Sequence, residues 1–221
     1  MRTFDEIYEI SAERKGGHDA LETLIGEKPK SAEELAAISD DRWLAAMTKC
    51  VFQAGFNWKV VESMWPGFEA AFEGFDIGHC LMLNDEDFER LVSDTRIVRY
   101  GAKIKAVQQN AGFIASLSDQ GGVGKVIGDW PSEDYIGLLQ LLKKSAARMG
   151  GTTGQYCLRF QGKDSFLLSQ SVVGRLTAEG VIDKAPTSQK AMRQVQDAFN
   201  IWRDQSGRSL TEISRVLAMS V

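Results

Sequence analysis

Histidine and cysteine are scarce in this chain of 221 residues: two histidines, His18 and His79, and three cysteines, Cys50, Cys80 and Cys157. The cysteines stand far apart with no C-x-x-C spacing, so neither a zinc ribbon nor an iron–sulfur loop is indicated. They read as free thiols of a reducing compartment, and no metal site or cofactor is expected. Strand-like alternation is also scarce, and apolar residues recur at spacings of three and four instead. The expectation is an all-α fold. No apolar stretch opens the chain and no segment approaches a membrane span, so the chain reads as a cytoplasmic protein without a membrane partner. The four glycine-rich residues Gly121-Gly122-Val123-Gly124 lack the Lys-Ser/Thr of a phosphate-binding P-loop and are not framed by a strand, which leaves a linker.

What is present is enough for a full core, at 43% apolar residues, as one large domain or two small lobes. The net charge of −4 hides an asymmetry. Residues 1–95 hold 9 Lys and Arg against 20 Asp and Glu, whereas residues 96–221 hold 17 against 10. The acidic total excludes a protein that coats nucleic acid indiscriminately, while a basic half suits one face docked on phosphates.

Several helix starts are legible. Ser31-Ala32-Glu33-Glu34 has the form of a capping box, Asn84-Asp85-Glu86-Asp87 caps the helix carrying Phe88 and Leu91, and Pro186-Thr187-Ser188 caps a long helix through Trp202. Gly16-Gly17 ends an N-terminal amphipathic helix over residues 2–15. Gly55 and Asn57 interrupt the helix of Trp43, Met47 and Phe52, and Trp58 begins another.

The stretch from Lys143 to Tyr156 organises the rest. A leucine-rich segment precedes it and Tyr156-Cys157-Leu158-Arg159-Phe160 follows, so Gly150, Gly151 and Gly154 lie at a turn between two helices. The second helix would begin near Thr152 and Thr153 with its first N–H groups bare, an anion site. With Lys143, Lys144 and Arg148 near, the expected anion is a nucleic-acid phosphate, held without reading base identity. An ordinary helix–turn–helix connection closed by a glycine cap has the same local appearance.

Taken together, Gln53-Ala54-Gly55-Phe56-Asn57-Trp58, Phe72, Phe75-Asp76, Glu89-Arg90-Leu91-Val92, Ile97-Val98-Arg99, Lys103-Ile104, Asn110-Ala111 and Gly151-Thr152-Thr153 with Tyr156 resemble the 3-methyladenine DNA glycosylase I family. The likeness covers residues 50–160. The segment Leu158 to Val172 looks more like the wider helix-hairpin-helix glycosylase superfamily that includes endonuclease III.

The resemblance implies a two-lobed helix-hairpin-helix glycosylase that binds duplex DNA containing damaged bases as a monomer and draws a flipped nucleotide into a cleft. Its boundaries would be a pocket-bearing lobe at about 30–125 and a hairpin lobe with the C-terminal helices at about 126–221, with residues 1–29 packing on the body as an N-terminal arm. By position Trp58 matches the family's base-stacking tryptophan, and Phe52, Phe56 and Tyr8 are candidates for the rest of the wall. The implied activity is hydrolysis of the N-glycosidic bond of alkylated purines such as 3-methyladenine.

Departures from the pattern are equally plain. The family's glutamate, eight residues before the tryptophan, falls on Cys50, and a thiol cannot steady a cationic base as a carboxylate does. The superfamily's aspartate falls around Ser169-Gln170-Ser171. Glu9, Glu13 and Glu62 are unranked candidates for an acid supplied from elsewhere. No lysine lies between Gly151 and Gln155, which excludes Schiff-base strand cleavage there, and the family's zinc staple has no counterpart, so the termini are expected to be held by packing alone. Two functions follow: a monofunctional glycosylase for labile alkylated bases, or a damaged-DNA binder that has lost the chemistry. A helical interaction module unrelated to DNA is the third and most remote reading.

Overall fold

The computed structural model describes residues 1–221 and contains fifteen α-helices and no strand. In chain order they are α1 (Phe4–Lys15), α2 (His18–Ile25), α3 (Ala32–Ala36), α4 (Asp40–Gln53), α5 (Trp58–Ser63), α6 (Trp65–Ala71), α7 (Ile77–Leu81) and α8 (Asp85–Ser93). There follow α9 (Gly101–Ala115), α10 (Val123–Asp129), α11 (Tyr135–Ser145), α12 (Thr152–Gln161), α13 (Gln170–Ala178), α14 (Gln189–Ser206) and α15 (Leu210–Met219). No helix is long and apolar enough to cross a membrane.

The helix starts follow local chemistry as expected. Ser31 accepts from Glu34 N while Glu34 receives Ser31 N at 2.7 Å, which closes the capping box of α3. Asn84 caps α8 in the same reciprocal manner with Asp87, and Ser188 caps α14. Each such cap satisfies one or two of the helix's orphan N–H groups and stabilises it by about 1 kcal/mol.

Two compact units result. One comprises residues 1–30, 130–137 and 158–221, and the other residues 31–129 and 138–157. The boundary read from sequence near residue 125 differs from these. Residues 1–30 group with residues 130–137 and 158–221, and Phe4 and Ile7 of α1 are buried there with α1 packed on α14 and α15. The hairpin turn, moreover, groups with the pocket-bearing helices and not with the C-terminal ones.

In the first unit Phe166 forms the centre of an aromatic core, edge-on to Tyr135 at 4.8 Å and stacked on Phe199 at 4.5 Å, with Trp202 against Phe199. The termini are held by more than packing. Glu179 is nearly buried and accepts from Arg2 N at 2.8 Å and from the Arg2 and Arg175 guanidiniums, while Arg175 also donates to Ser220 Oγ at 2.7 Å and to its carbonyl. Burial alone would raise the Glu179 carboxyl, yet these donors bring it below the usual range. A buried carboxylate takes partners because leaving it unpaired is costly; here Arg2, near one chain end, and Arg175, which also holds Ser220 near the other, supply them.

In the second unit α4 and α9 pack together, and α7 and α8 lie on α9. Phe52, Phe68, Trp65, Phe72 and Phe75 form a connected aromatic layer, Phe52 meeting Phe68 edge-on at 4.7 Å. The glycines expected to make a linker do not. Gly121 and Gly122 turn the chain at φ of +92° and +90°, but Gly124 and Gly128 lie in α10, which packs on α3. A Cβ on Gly124 would stand 2.5 Å from Leu35 O, and one on Gly128 would stand 2.7 Å from Ala32 O. These glycines exist to let two backbones touch.

Candidate nucleic-acid site

The segment after α4 is built to stop a helix and start another at once. Gly55 takes φ of +75°, and the Asn57 side chain accepts from Lys59 N at 2.9 Å, which leaves Trp58 as the first residue of α5 with 43% of its surface exposed. Lys103 secures this turn from α9. Although only 5% exposed, it has no carboxylate partner; its Nζ donates to Phe52 O at 3.2 Å and Ala54 O at 2.6 Å and lies 4.4 Å from the centre of the Phe56 ring. An ammonium at the carbonyl end of α4 satisfies orphan acceptors and meets the negative end of the helix dipole. Burial, with the Arg148 guanidinium adding to it, pulls the Lys103 ammonium below the usual lysine range.

The hairpin turn between α11 and α12 is fixed by side chains of α9 and by its own backbone. The Asn110 amide donates to Ala147 O at 3.2 Å and accepts from Ala147 N at 2.7 Å, a two-way clasp from a residue 1% exposed. Arg148 adopts φ of +59°, donates to Ala102 O and lies over the Tyr100 ring, while Gly151 turns the chain at φ of +61°. Gly154 is pressed on the turn, since a Cβ there would stand 2.4 Å from Met149 O. Lys143 and Lys144 are exposed in the last turn of α11.

Between these two devices, all within the second unit, lies a cavity of about 200 Å³ lined by Cys50, Gln53, Ala54, Gly55, Trp58, Thr152, Thr153 and Tyr156. Trp58 and Tyr156 meet edge-on at 5.5 Å. That volume is below the roughly 300–1,000 Å³ of sites for drug-sized ligands. The lining contains two aromatic rings, hydroxyls, an amide and a thiol, but no carboxylate. Behind Cys50, the Cys157 thiol is pushed well up, first by its hydrogen bond with Cys50 and then by complete burial, so Cys157 stays a neutral thiol.

The residues anticipated from sequence sort themselves clearly. Trp58, Cys50, Thr152 and Thr153 come together in the cavity wall. Phe52 does not line it: it is fully buried against Phe68 in the aromatic layer, because the α4 periodicity that marks it as apolar also turns it inward. Phe56 lies on the exposed side, edge-on to Tyr100 at 6.4 Å. Tyr8 belongs to the other unit, where its hydroxyl donates to Glu22 at 2.6 Å and its ring stacks on His18 and lies beneath Arg208.

Ser169 is the N-cap of α13, with Gln170 and Ser171 in that helix's first turn, so the group standing at the superfamily's acidic position performs capping. Glu9 pairs with His18 and Glu62 with Lys49, and Glu13 is exposed on α1. Gln53, Lys103, Asn110 and Tyr156 were visible as parts of the sequence pattern but carried no assigned role. Their common signal was polarity or aromaticity inside a helical apolar stripe.

Comparison with known proteins accords with the resemblance read from the sequence. Residues 36–130 match the family model described as methyladenine glycosylase. The DNA-3-methyladenine glycosylase 1 of Escherichia coli is 35% identical over 69 residues, which is 31% of this chain and 37% of that protein. The match therefore spans about a third of the relative's length. Among solved structures, the 8-oxoguanine glycosylase/lyase of Methanocaldococcus jannaschii, in complex with a 15mer DNA, aligns over 96% of this chain and 95% of its own with a TM-score of 0.52 at 14% identity. That likeness is one of fold, and it identifies the helical architecture as a DNA glycosylase fold. A 3-methyladenine DNA glycosylase I aligns over 62% of this chain and 80% of its own at 23% identity, with a TM-score of 0.48.

Proposed function

We propose that this chain is a monofunctional DNA glycosylase of base excision repair, hydrolysing the N-glycosidic bond of alkylated purines such as 3-methyladenine. The observation that carries this reading is the cavity itself. It joins an exposed indole, Trp58, to the N-terminus of the hairpin's second helix at Thr152 and Thr153. The hairpin would hold the phosphates of a damaged duplex through its bare N–H groups with Lys143, Lys144 and Arg148, and the extruded base would enter beside Trp58.

The missing carboxylate is consistent with a labile substrate. A 3-methylpurine nucleotide is cationic, so its base departs as a neutral leaving group; the C1′–N bond breaks, water oxygen bonds C1′, and a proton leaves. Stacking on Trp58 binds the cation through its π face, worth about 0.5–2 kcal/mol, and exclusion of water orders the attack. Such a site needs no acid to protonate the base. The chain would work in the cytoplasm, as a monomer, on double-stranded DNA.

The same acid-free lining favours a second reading, a protein that recognises damaged DNA without cleaving it. Single-turnover release of free bases from methylated duplex DNA separates the two. Release of 3-methyladenine by the wild-type chain supports the hydrolase; tight binding to an abasic-site duplex with no base released supports the binder. Trp58→Ala is expected to lower the release rate by about 100-fold while its circular dichroism and melting remain those of a folded chain. Undiminished release by that variant removes Trp58 from the site.

A further inference from the structure

Gln53 is the last residue of α4, 5% exposed, and it lines the cavity beside Trp58. None of the protein's hydrogen bonds uses its side-chain amide, although its backbone carbonyl accepts from Phe56 N at 3.1 Å. Its amide atoms are not sealed in the interior, so solvent reaches them from the cavity. An amide open to a cavity is therefore a group held ready for the occupant. The other polar groups of the wall cannot substitute for it, since the Thr152, Thr153 and Tyr156 hydroxyls and the Cys50 thiol each present a single rotatable O–H or S–H. Only Gln53 offers an acceptor and a donor side by side in one plane.

We propose that Gln53 is the specificity-determining residue of the cavity and reads the 6-amino edge of an adenine-type base, with Oε1 accepting from the exocyclic N6–H and Nε2–H donating to N7. The proposal rests on the glycosylase reading for its ligand class. That edge is the complement of a glutamine amide, whereas guanine presents O6 and N7, two acceptors, and opposes the amide carbonyl. Methylation at N3 leaves the N6/N7 edge free, and the positive charge it brings makes the N6–H a stronger donor to Oε1. Methylation at N7 removes the acceptor. The amide is held in place because Lys103 ties the carbonyls on either side of it, Phe52 O and Ala54 O, to α9.

The test uses the full chain and two free bases, 3-methyladenine and 3-methylguanine, titrated calorimetrically into the wild type and into Gln53→Met, which keeps the side-chain length and loses both hydrogen bonds. The wild type should prefer 3-methyladenine by about 5- to 150-fold, the range a bidentate pair supplies. Gln53→Met, checked by its melting curve, should bind the two bases within a factor of about three of each other. A wild type that binds neither base, or binds both alike, overturns the assignment, as does a folded Gln53→Met that keeps the preference. Base release from methylated duplex, measured in parallel, isolates the hydrolase reading. A wild type that shows the adenine preference but releases nothing upholds Gln53 and defeats the hydrolase.

Discussion

Gly124 and Gly151 belong to stretches that look alike as sequence, Gly121-Gly122-Val123-Gly124 and Gly150-Gly151-Thr152-Thr153-Gly154, and their surroundings are opposite. Gly124 lies in a helix with its Cα against another backbone, where a Cβ would stand 2.5 Å from Leu35 O and 3.0 Å from Trp43 Nε1. Gly151 has nothing within 4 Å of where a Cβ would be, and is required for its φ of +61°. One glycine is there because of what touches it, the other because of the turn it makes. The lesson is that a glycine cluster announces a backbone constraint without saying whether the constraint serves packing or presentation.

Substitutions at the two sites sharpen the contrast. The largest effect on stability should come from Gly124→Ala, which forces α10 off α3. About 3 kcal/mol of destabilisation is expected, a fall in Tm of roughly 6–12 °C for a chain of this size, with DNA affinity per folded molecule unchanged. Calorimetric melting and a binding titration on one preparation check both halves, and a loss of affinity without a loss of stability would reverse the roles given to the two stretches. Gly151→Ala meets no neighbour and pays only for its left-handed backbone, about 1–2 kcal/mol. Here affinity for any duplex should fall several-fold, because the turn presents the first N–H groups of α12. The smallest change in stability, within about 0.5 kcal/mol, belongs to the double substitution of Lys143 and Lys144 by Ala. Its signature lies in the salt dependence of DNA binding, whose log–log slope should become shallower by about two as two phosphate contacts are lost. An unchanged slope would take those lysines off the DNA-docking surface.

Local chemistry was legible from the sequence wherever it acts within a turn of chain. The caps at Ser31, Asn84 and Ser188 each lie within three residues of the groups they serve. The pair Gly55 and Asn57, which ends α4 and presents Trp58, is equally local. Trp58 and the threonines of the hairpin were likewise nameable, from their resemblance to a known pattern. Phe52 was not separable from Trp58 on those grounds. Both are large aromatics flanking the same turn, Phe52 at the end of α4 and Trp58 at the start of α5, and only the packing of Phe68 on one of them decides that Phe52 is core. Tyr8 was placed by its aromatic character alone, and its hydroxyl is engaged by Glu22 within its own unit.

The unit boundaries show the same limit at larger scale. Reading glycines 121–124 as a linker put a division where the chain in fact packs helix on helix, and residues 138–157 join the earlier helices through contacts such as the Asn110 clasp on Ala147, 37 residues away. No window of local sequence contains both partners. The same holds for Arg175, Glu179 and Arg2, which hold residues from both ends of the chain where packing alone was expected.

By itself, then, the sequence determined the all-helical class, the helix starts, the hairpin with its cations and the absence of both acids expected by resemblance, because each is written in residue type and short-range spacing. Tertiary structure alone decided that Cys50, Gln53, Trp58, Thr152, Thr153 and Tyr156 share one cavity, that its wall carries an uncommitted amide, and that Lys103 and Asn110 hold the two segments forming it. Those facts depend on which buried polar group finds its partner across 37 to 51 residues of chain, and a hydrogen bond between distant residues leaves no period in the sequence.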